Sequence, residues 1–364
     1  MKKTELRLLV KDFVYDTFKK PIHELNVILY EWWFSQGGRM PAFMNLDEIT
    51  FVTTRISYNG KMLDYDFNWY LPEELAPYPD NTVFLINVIY EYEYEREKKF
   101  IHDTFGIPYE NICWARPLIL KLLDAQDFQF GYAGADRIAK LFFDKYGMDI
   151  SSIRYLDIGA NHYLLHNNTY LFHKNRASGV LIEPNPDFRT LLETNRPGDK
   201  VLSYGCLPES MLNGNEKLKY YRTNRAGYNT FYKEGLKHFP PGVYLQEEVD
   251  VRVRSIEDIV EEYFPNRYIN YVTIDAEGMG AAILDAMLSC NVIMDVIIIE
   301  MNTENTQSRK LYLKLKRLGY GMLYYGIGTS QDFLFYNKNV FKNNEINKSI
   351  KNISNRKRLY GEIR

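Results

Sequence analysis

Only three cysteines occur in the 364 residues: Cys113, Cys206 and Cys290, far apart and with no CxxC pair. That sparsity argues against a disulfide frame or a zinc ribbon and points to a reducing compartment. Long apolar runs are missing too. Aliphatic stretches such as Val296–Ile299 are far too short to span a bilayer. Thr4, Glu5, Arg7, Lys11 and Asp12 interrupt any secretory apolar region after the opening Met-Lys-Lys. Charge of one sign is also absent. A formal net charge of −2 and a pI near 6.4 give no bulk signal for nucleic acid or an anionic membrane. These absences predict a soluble cytoplasmic protein with no membrane span and no nucleic-acid partner. Two phosphate-binding motifs are lacking as well. No G-x-x-x-x-G-K-[ST] loop occurs, and the one candidate dinucleotide turn reads Gly159-Ala-Asn-His-Tyr-Leu, with a single glycine.

What is present is a regular alternation. After residue 150, strands are predicted at 154–159, 179–184, 200–206, 269–277, 294–302, 320–326 and 332–337. Helices are predicted at 137–146, 186–195, 255–263, 279–288 and 306–318. Asn185 before Pro186, and Ser255 with Asp258, are helix starts. Strands alternating with helices imply a parallel sheet, and the last two strands, joined around Gly328, must form an antiparallel hairpin. All four tryptophans (Trp32, Trp33, Trp69, Trp114) fall in the first third, which suggests two units of different origin. The expected division is a mixed α/β accessory domain over 1–150, a second α/β domain over 151–340 and a polar tail over 341–364. In the first domain a helix with Leu6, Leu9, Val10, Phe13 and Val14 precedes one β-α-β unit running from Thr82 to Trp114. The acidic tract from Glu91 is expected to be a solvated helix face. The stretch 213–249 breaks the rhythm and reads as a lid or substrate loop.

Two strand tips carry the chemistry. Asp157-Ile-Gly159-Ala-Asn161 ends one short apolar run, and Glu183-Pro184-Asn185-Pro186 ends the next. In an open α/β sheet such tips form the edge where a nucleotide-like ligand docks. Asp157 would sit against pyrophosphate charge, so NAD and FAD are disfavoured. S-adenosylmethionine carries a sulfonium and an ammonium and no phosphate, so an acid at that tip attracts it. Glu183 has the spacing of an acid that accepts both ribose hydroxyls. The candidate cofactor residues are Asp157, Gly159, Asn161, Glu183, Pro184, Asn185 and Cys206, the last ending the third strand.

Segment 154–337 resembles the FkbM-type S-adenosylmethionine-dependent methyltransferases. The match rests on Asp157-Ile-Gly-Ala-Asn161, Glu183-Pro-Asn-Pro186 with Phe188 and Leu191, Asp275-Ala-Glu277-Gly278 with Ile283 and Leu284, the strand ending in Glu300, and Asp332-Phe-Leu-Phe335. The resemblance implies a class I methyltransferase (Rossmann-like) fold of seven strands with a terminal antiparallel hairpin. It also implies O-methylation of a sugar or polyketide hydroxyl. Two positions depart from the family pattern. Tyr163 stands where a second glycine is usual, so His162, His166 and Asn167-Asn-Thr169 are expected to shape the turn, and Gly280 stands where an acid is usual.

Asp275 is the first candidate for a general base or for orienting the acceptor hydroxyl, with Glu277 on the same side of the strand and His162 as runner-up. Glu300 and Asn302 are conceivable partners of Asp275 around Mg²⁺. His162, His166 and His173 have a spacing compatible with one helical face, but such histidines more often serve as surface or supporting groups. No metal is assigned. Tyrosines between Tyr220 and Tyr244, with Asn229-Thr-Phe231, either stack on sugar rings or pack the sheet rim. The leading function is an S-adenosylmethionine-dependent O-methyltransferase acting on a small-molecule or saccharide acceptor in polysaccharide biosynthesis, with a homo-oligomer left open. The alternatives are a nucleotide-sugar oxidoreductase or dehydratase, and a catalytically silent S-adenosylmethionine-binding module.

Overall fold

The computed structural model describes residues 3–30, 49–52, 69–88, 91–124, 130–131, 134–224, 226–238, 243–301, 306–324 and 332–342. Trp32, Trp33, Asn302, the turn around Gly328 and the tail beyond 342 lie outside the described residues. Two compact units divide the chain, Met1–Asp127 and Phe128–Ile363. The helix Ala135–Lys145, placed before residue 150 by the sequence reading, buries Ile138, Phe142 and Phe143 in the core of the second unit.

The first unit holds a five-stranded sheet of β1 (Asn26–Tyr30), β2 (Ile49–Val52), β3 (Trp69–Tyr70), β4 (Thr82–Ile86) and β5 (Ile112–Trp114), in the order β3-β2-β1-β4-β5. Every pairing in it is parallel. After a polar first residue, β1 and β4 are apolar and buried from Val27 to Tyr30 and from Val83 to Ile86, as central parallel strands must be. The sequence reading found the unit from β4 to β5 and missed β1 to β3. Most described residues of the acidic helix Glu91–Phe105 are exposed or half-buried, but Ile101 packs into the core and one acid turns inward. Glu97 is buried and accepts a hydrogen bond from the Tyr30 hydroxyl at 2.8 Å.

The second unit is built on β6 (Arg154–Ile158), β7 (Ser178–Ile182), β8 (Lys200–Leu202), β12 (Tyr268–Ile274), β13 (Ile293–Glu300), β14 (Tyr320–Tyr324) and β15 (Asp332–Asn337). Their order is β14-β15-β13-β12-β6-β7-β8, and β15 runs antiparallel to both its neighbours. Alternate residues feed opposite faces, the period-2 geometry of a strand. Ile297 and Ile299 join one core with the helices Ile256–Tyr263, Gly280–Ser289 and Thr306–Arg317. Val296 and Ile298 join the other, with the helix Ala135–Lys145. This is an α/β fold with a mostly parallel sheet covered on both faces. The chain leaves β6 toward β7 on one side, while β12 pairs on the other, which makes a topological switch point.

The loop expected over 213–249 is corrected by the structure. β9 (Gly205–Leu207), β10 (Lys217–Thr223) and β11 (Leu245–Ser255) form a separate three-stranded sheet in the order β10-β11-β9. The single strand expected over 200–206 is correspondingly two: β8 ends at Leu202, and β9 joins the small sheet beside β11. Arg222 on β10 bridges Glu247 on β11 and Asp187 in the first turn of the helix Pro186–Asn195.

Candidate active site

The carboxyl ends of β6, β7 and β12 open on one cleft lined by Gly159, Asn161, Glu183, Pro184, Cys206, Asp275 and Glu277. Six of these seven were singled out from sequence as cofactor or catalytic groups at separate strand tips, and Cys206 from the end of the third. The strands are clamped at their tips. Gly159 and Ala160 both donate backbone N–H groups to the Ile182 carbonyl at 2.9 and 3.1 Å, and Asp275 donates its own to the Ile158 carbonyl at 2.9 Å. Gly159 has φ +85°, and a Cβ there would lie 1.9 Å from the Asp275 carbonyl oxygen. Only glycine permits that approach.

Glu183 is buried at the end of β7. One carboxylate oxygen accepts the Asn161 N–H and the other the Asn185 N–H, each at 2.7 Å. Burial pushes its carboxyl up to about 7, against the pull of those two N–H groups. Asn185 itself caps the helix Pro186–Asn195, its side chain accepting from the Asp187 N–H, and lies outside the cleft lining. Asp157 is likewise outside the lining. Its carboxylate accepts from the Thr169 hydroxyl at 2.6 Å and from Asn167 Nδ2 at 3.4 Å, and burial raises it to about 6.

Asp275, Glu277 and Glu300 converge, with one carboxylate oxygen from each within 4.8 Å of the others. Glu300 stands opposite Asp332 across the β13–β15 pair. Among the described residues no cation pairs with these three acids. The Asp275 carboxyl is open to the cleft yet walled by protein. Burial first, then Glu300, Asp332, Asp157 and Glu183, hold it well above the ordinary carboxylate range. Glu277 is raised likewise by burial, Asp275 and Glu300, and Glu300 by burial and Asp332. A hard divalent cation binds oxygens spaced in this way. The cleft as a whole favours positive charge.

One wall comes from the small sheet and its connection: Tyr220, Asn229, Thr230 and Phe231. Thr230 Oγ1 donates to the Glu277 carbonyl at 2.8 Å and locks this wall to the tip of β12. Tyr220 packs on Phe231 at 4.7 Å between ring centroids, so these rings build the rim and face the cleft together. Sequence marked the Asn229-Thr-Phe231 run but gave no sign that it folds against β12.

The three histidines do not share a face. His162 is buried, and its Nδ1 accepts the Leu164 and Leu165 N–H groups at 3.1 Å, so it shapes the loop after β6 and lies outside the cleft lining. His166 adopts φ +54°, bridges to Gly131 and has its imidazole lowered to about 4 by burial. Only His173 is helical, and it meets Asp199 at 3.1 Å. Asn167 completes the turn, its side-chain oxygen accepting the Thr169 and Tyr170 N–H groups. The left-handed non-glycine residues of this turn are Asn161 and His166, and Tyr163 is not among them.

Residues 157–322 match the family model described as the methyltransferase FkbM domain. The C-terminal part of the chain thus carries an FkbM domain, and the cleft lies within it. Among solved structures, the chain is similar to one titled "Crystal Structural Analysis of the O-methyltransferase from Bacillus cereus in complex SAH". Sequence identity is 11%, coverage is 67% of this chain and 97% of that chain, and the TM-score is 0.31. At that level of likeness no residue role passes from one structure to the other. No curated protein matches the chain. No helix among the described residues is long and apolar enough to cross a membrane.

Proposed function

We propose that this protein is an S-adenosylmethionine-dependent O-methyltransferase of the class I, seven-stranded type. One observation carries the reading: a cleft at the β6/β12 switch point, inside the FkbM domain, brings Glu183, Asp275, Glu277 and Glu300 together with no paired cation among the described residues. Such a site suits a cationic ligand and repels a pyrophosphate. Bound S-adenosylmethionine supplies a methyl group on a sulfonium, already activated for in-line displacement.

The chain's residues do the rest. Each Glu183 oxygen has taken one backbone N–H, which leaves acceptor capacity for two ribose hydroxyls. Gly159 lets the backbone approach, while Cys206 and Pro184 supply nonpolar wall. Asp275 accepts the proton of the acceptor hydroxyl, with Glu277 beside it. Positioning of this kind supplies about 7–11 kcal/mol of a barrier. The acceptor is proposed to be a hydroxyl of a sugar or polysaccharide precursor, for which the half-exposed Tyr232 ring beside Gly278 offers a stacking face. Comparing cell-envelope glycans with and without the protein should reveal species differing by one methylene.

Isothermal titration tests the cofactor. S-adenosylmethionine should bind and NAD should not, and tight NAD binding would overturn the reading. The Glu183 carboxyl, raised to about 7, is an acceptor for both hydroxyls only when ionised. Donor affinity should therefore rise as pH increases through 7 and weaken below it, and Glu183→Gln should bind more weakly with a flat profile. A chelator separates two uses of the acid trio. Turnover that survives EDTA leaves Asp275 as a direct base, whereas turnover lost to EDTA and restored by Mg²⁺ makes the trio a metal clamp.

A further inference from the structure

The loop between β6 and the helix Tyr170–Lys174 is held by a guanidinium that neither the cleft nor the sequence motifs include. Arg196 follows the helix Pro186–Asn195 and is 1% exposed. All five of its N–H groups have acceptors. Nε donates to Asp199 Oδ2 at 2.9 Å. Nη1 donates to Asn167 Oδ1 at 3.0 Å and to the Tyr163 carbonyl at 3.3 Å, and Nη2 to the Tyr155 hydroxyl at 3.1 Å and to Thr169 Oγ1 at 3.0 Å. Asp199 in turn accepts from the Tyr155 hydroxyl, from the Gly179 N–H and from His173.

Two of these acceptors reach the cleft side of the loop. Thr169 Oγ1 donates a hydrogen bond to Asp157 Oδ2 at 2.6 Å, and Asn167 Nδ2 donates to the Ala160 carbonyl at 2.9 Å. Ala160 lies between Gly159 and Asn161, both of which line the cleft. The same helix that ends at Arg196 begins beside Glu183, whose carboxylate takes the Asn161 and Asn185 N–H groups. The loop is therefore fastened from above by Glu183 and from behind by Arg196.

We infer that Arg196 is a positioning residue for the donor-binding loop, acting through Thr169 and Asn167 on Asp157 and the Ala160 carbonyl. The inference rests on the reading of the cleft as a donor site. In it Asp157 anchors the loop and does not touch the donor. A buried, fully bonded guanidinium cannot be truncated without leaving Asp157 and Asp199 uncompensated, so Arg196→Met risks failing to fold. Thr169→Val cuts the link at one atom while preserving shape, and Thr169→Ser keeps the hydroxyl.

The test uses the full chain, with S-adenosylmethionine as the probe. Titration of the parent and both variants is paired with amide hydrogen exchange over 159–169 without donor, below the variants' melting temperatures. In Thr169→Val the donor Kd should rise about tenfold, near the lower end of what one hydrogen bond to a charged group is worth. Exchange over 159–169 should quicken, and Thr169→Ser should restore both. A purely structural role would lower the melting temperature and leave the Kd and the loop's exchange untouched, and that result overturns the inference. A parent that fails to bind S-adenosylmethionine overturns the methyltransferase reading as well, so the two failures are distinguishable.

Discussion

Gly159→Ala is expected to abolish donor binding and to destabilise the second unit by on the order of 3 kcal/mol, about 6–12 °C in melting temperature for a domain of this size. Two costs coincide. The backbone at Gly159 is left-handed, where alanine is strained, and the added methyl would sit 1.9 Å from the Asp275 carbonyl oxygen. Relief requires β6 and β12 to part at their tips. That parting breaks the 2.9 Å bond from the Asp275 N–H to the Ile158 carbonyl and shifts both the donor loop and the acid trio. Thermal melting and donor titration check it together. A variant that melts with the parent and binds normally would mean that the clamp between the strand tips is not what shapes the cleft.

Asp275→Asn should move activity and stability in opposite directions. Loss of a general base lowers turnover on the order of 10²–10⁴-fold. The stability sign follows from linkage. The folded carboxyl is raised above its unfolded value by burial and by Glu300, Asp332, Asp157 and Glu183. Its favourable contribution is therefore present at acid pH, below the unfolded value, and is lost as pH rises through the folded one. At neutral pH the charge is a burden, and asparagine removes it. The variant should melt above the parent at pH 8, with the gain fading toward pH 4. The parent's methylation rate should climb with pH as Asp275 ionises. A variant that loses turnover without gaining stability would count against mutual repulsion within the acid trio.

The strand tips were legible because their signals are short-ranged. Asp157-Ile-Gly159 and Glu183-Pro-Asn185 each combine an apolar run, an acid and a turn former within a few residues, and the α/β alternation follows from helix starts such as Asn185-Pro186. The small sheet was not legible. β10 and β11 pair across more than twenty residues of chain, and although Val249, Val251 and Val253 alternate with Asp250, Arg252 and Arg254, the first four residues of β11 are all exposed and carry no such pattern. In the first unit, β1 carries a four-residue apolar run, Val27 to Tyr30, that periodicity alone does not assign to strand or helix. Arg196 was invisible for another reason. An arginine just past a helix end ordinarily faces water, and only the tertiary convergence of Tyr155, Asn167, Thr169 and Asp199 gives this one a reason to be buried. His162 shows the limit of spacing arguments, since its ring nitrogen serves two loop amides and no helix face.

The step of the chain from β8 into β9 divides responsibility for the cleft between two separate frameworks. Glu183 and Asn161 belong to the large sheet and its loops, whereas Tyr220, Asn229, Thr230 and Phe231 ride on an inserted ribbon fastened by Thr230 and Arg222. Mutations in that ribbon can remodel what the pocket admits while the opposite side stays intact. Under the proposed function, substitutions on the ribbon should change which acceptor is admitted and leave the tenure of the methyl donor unaltered.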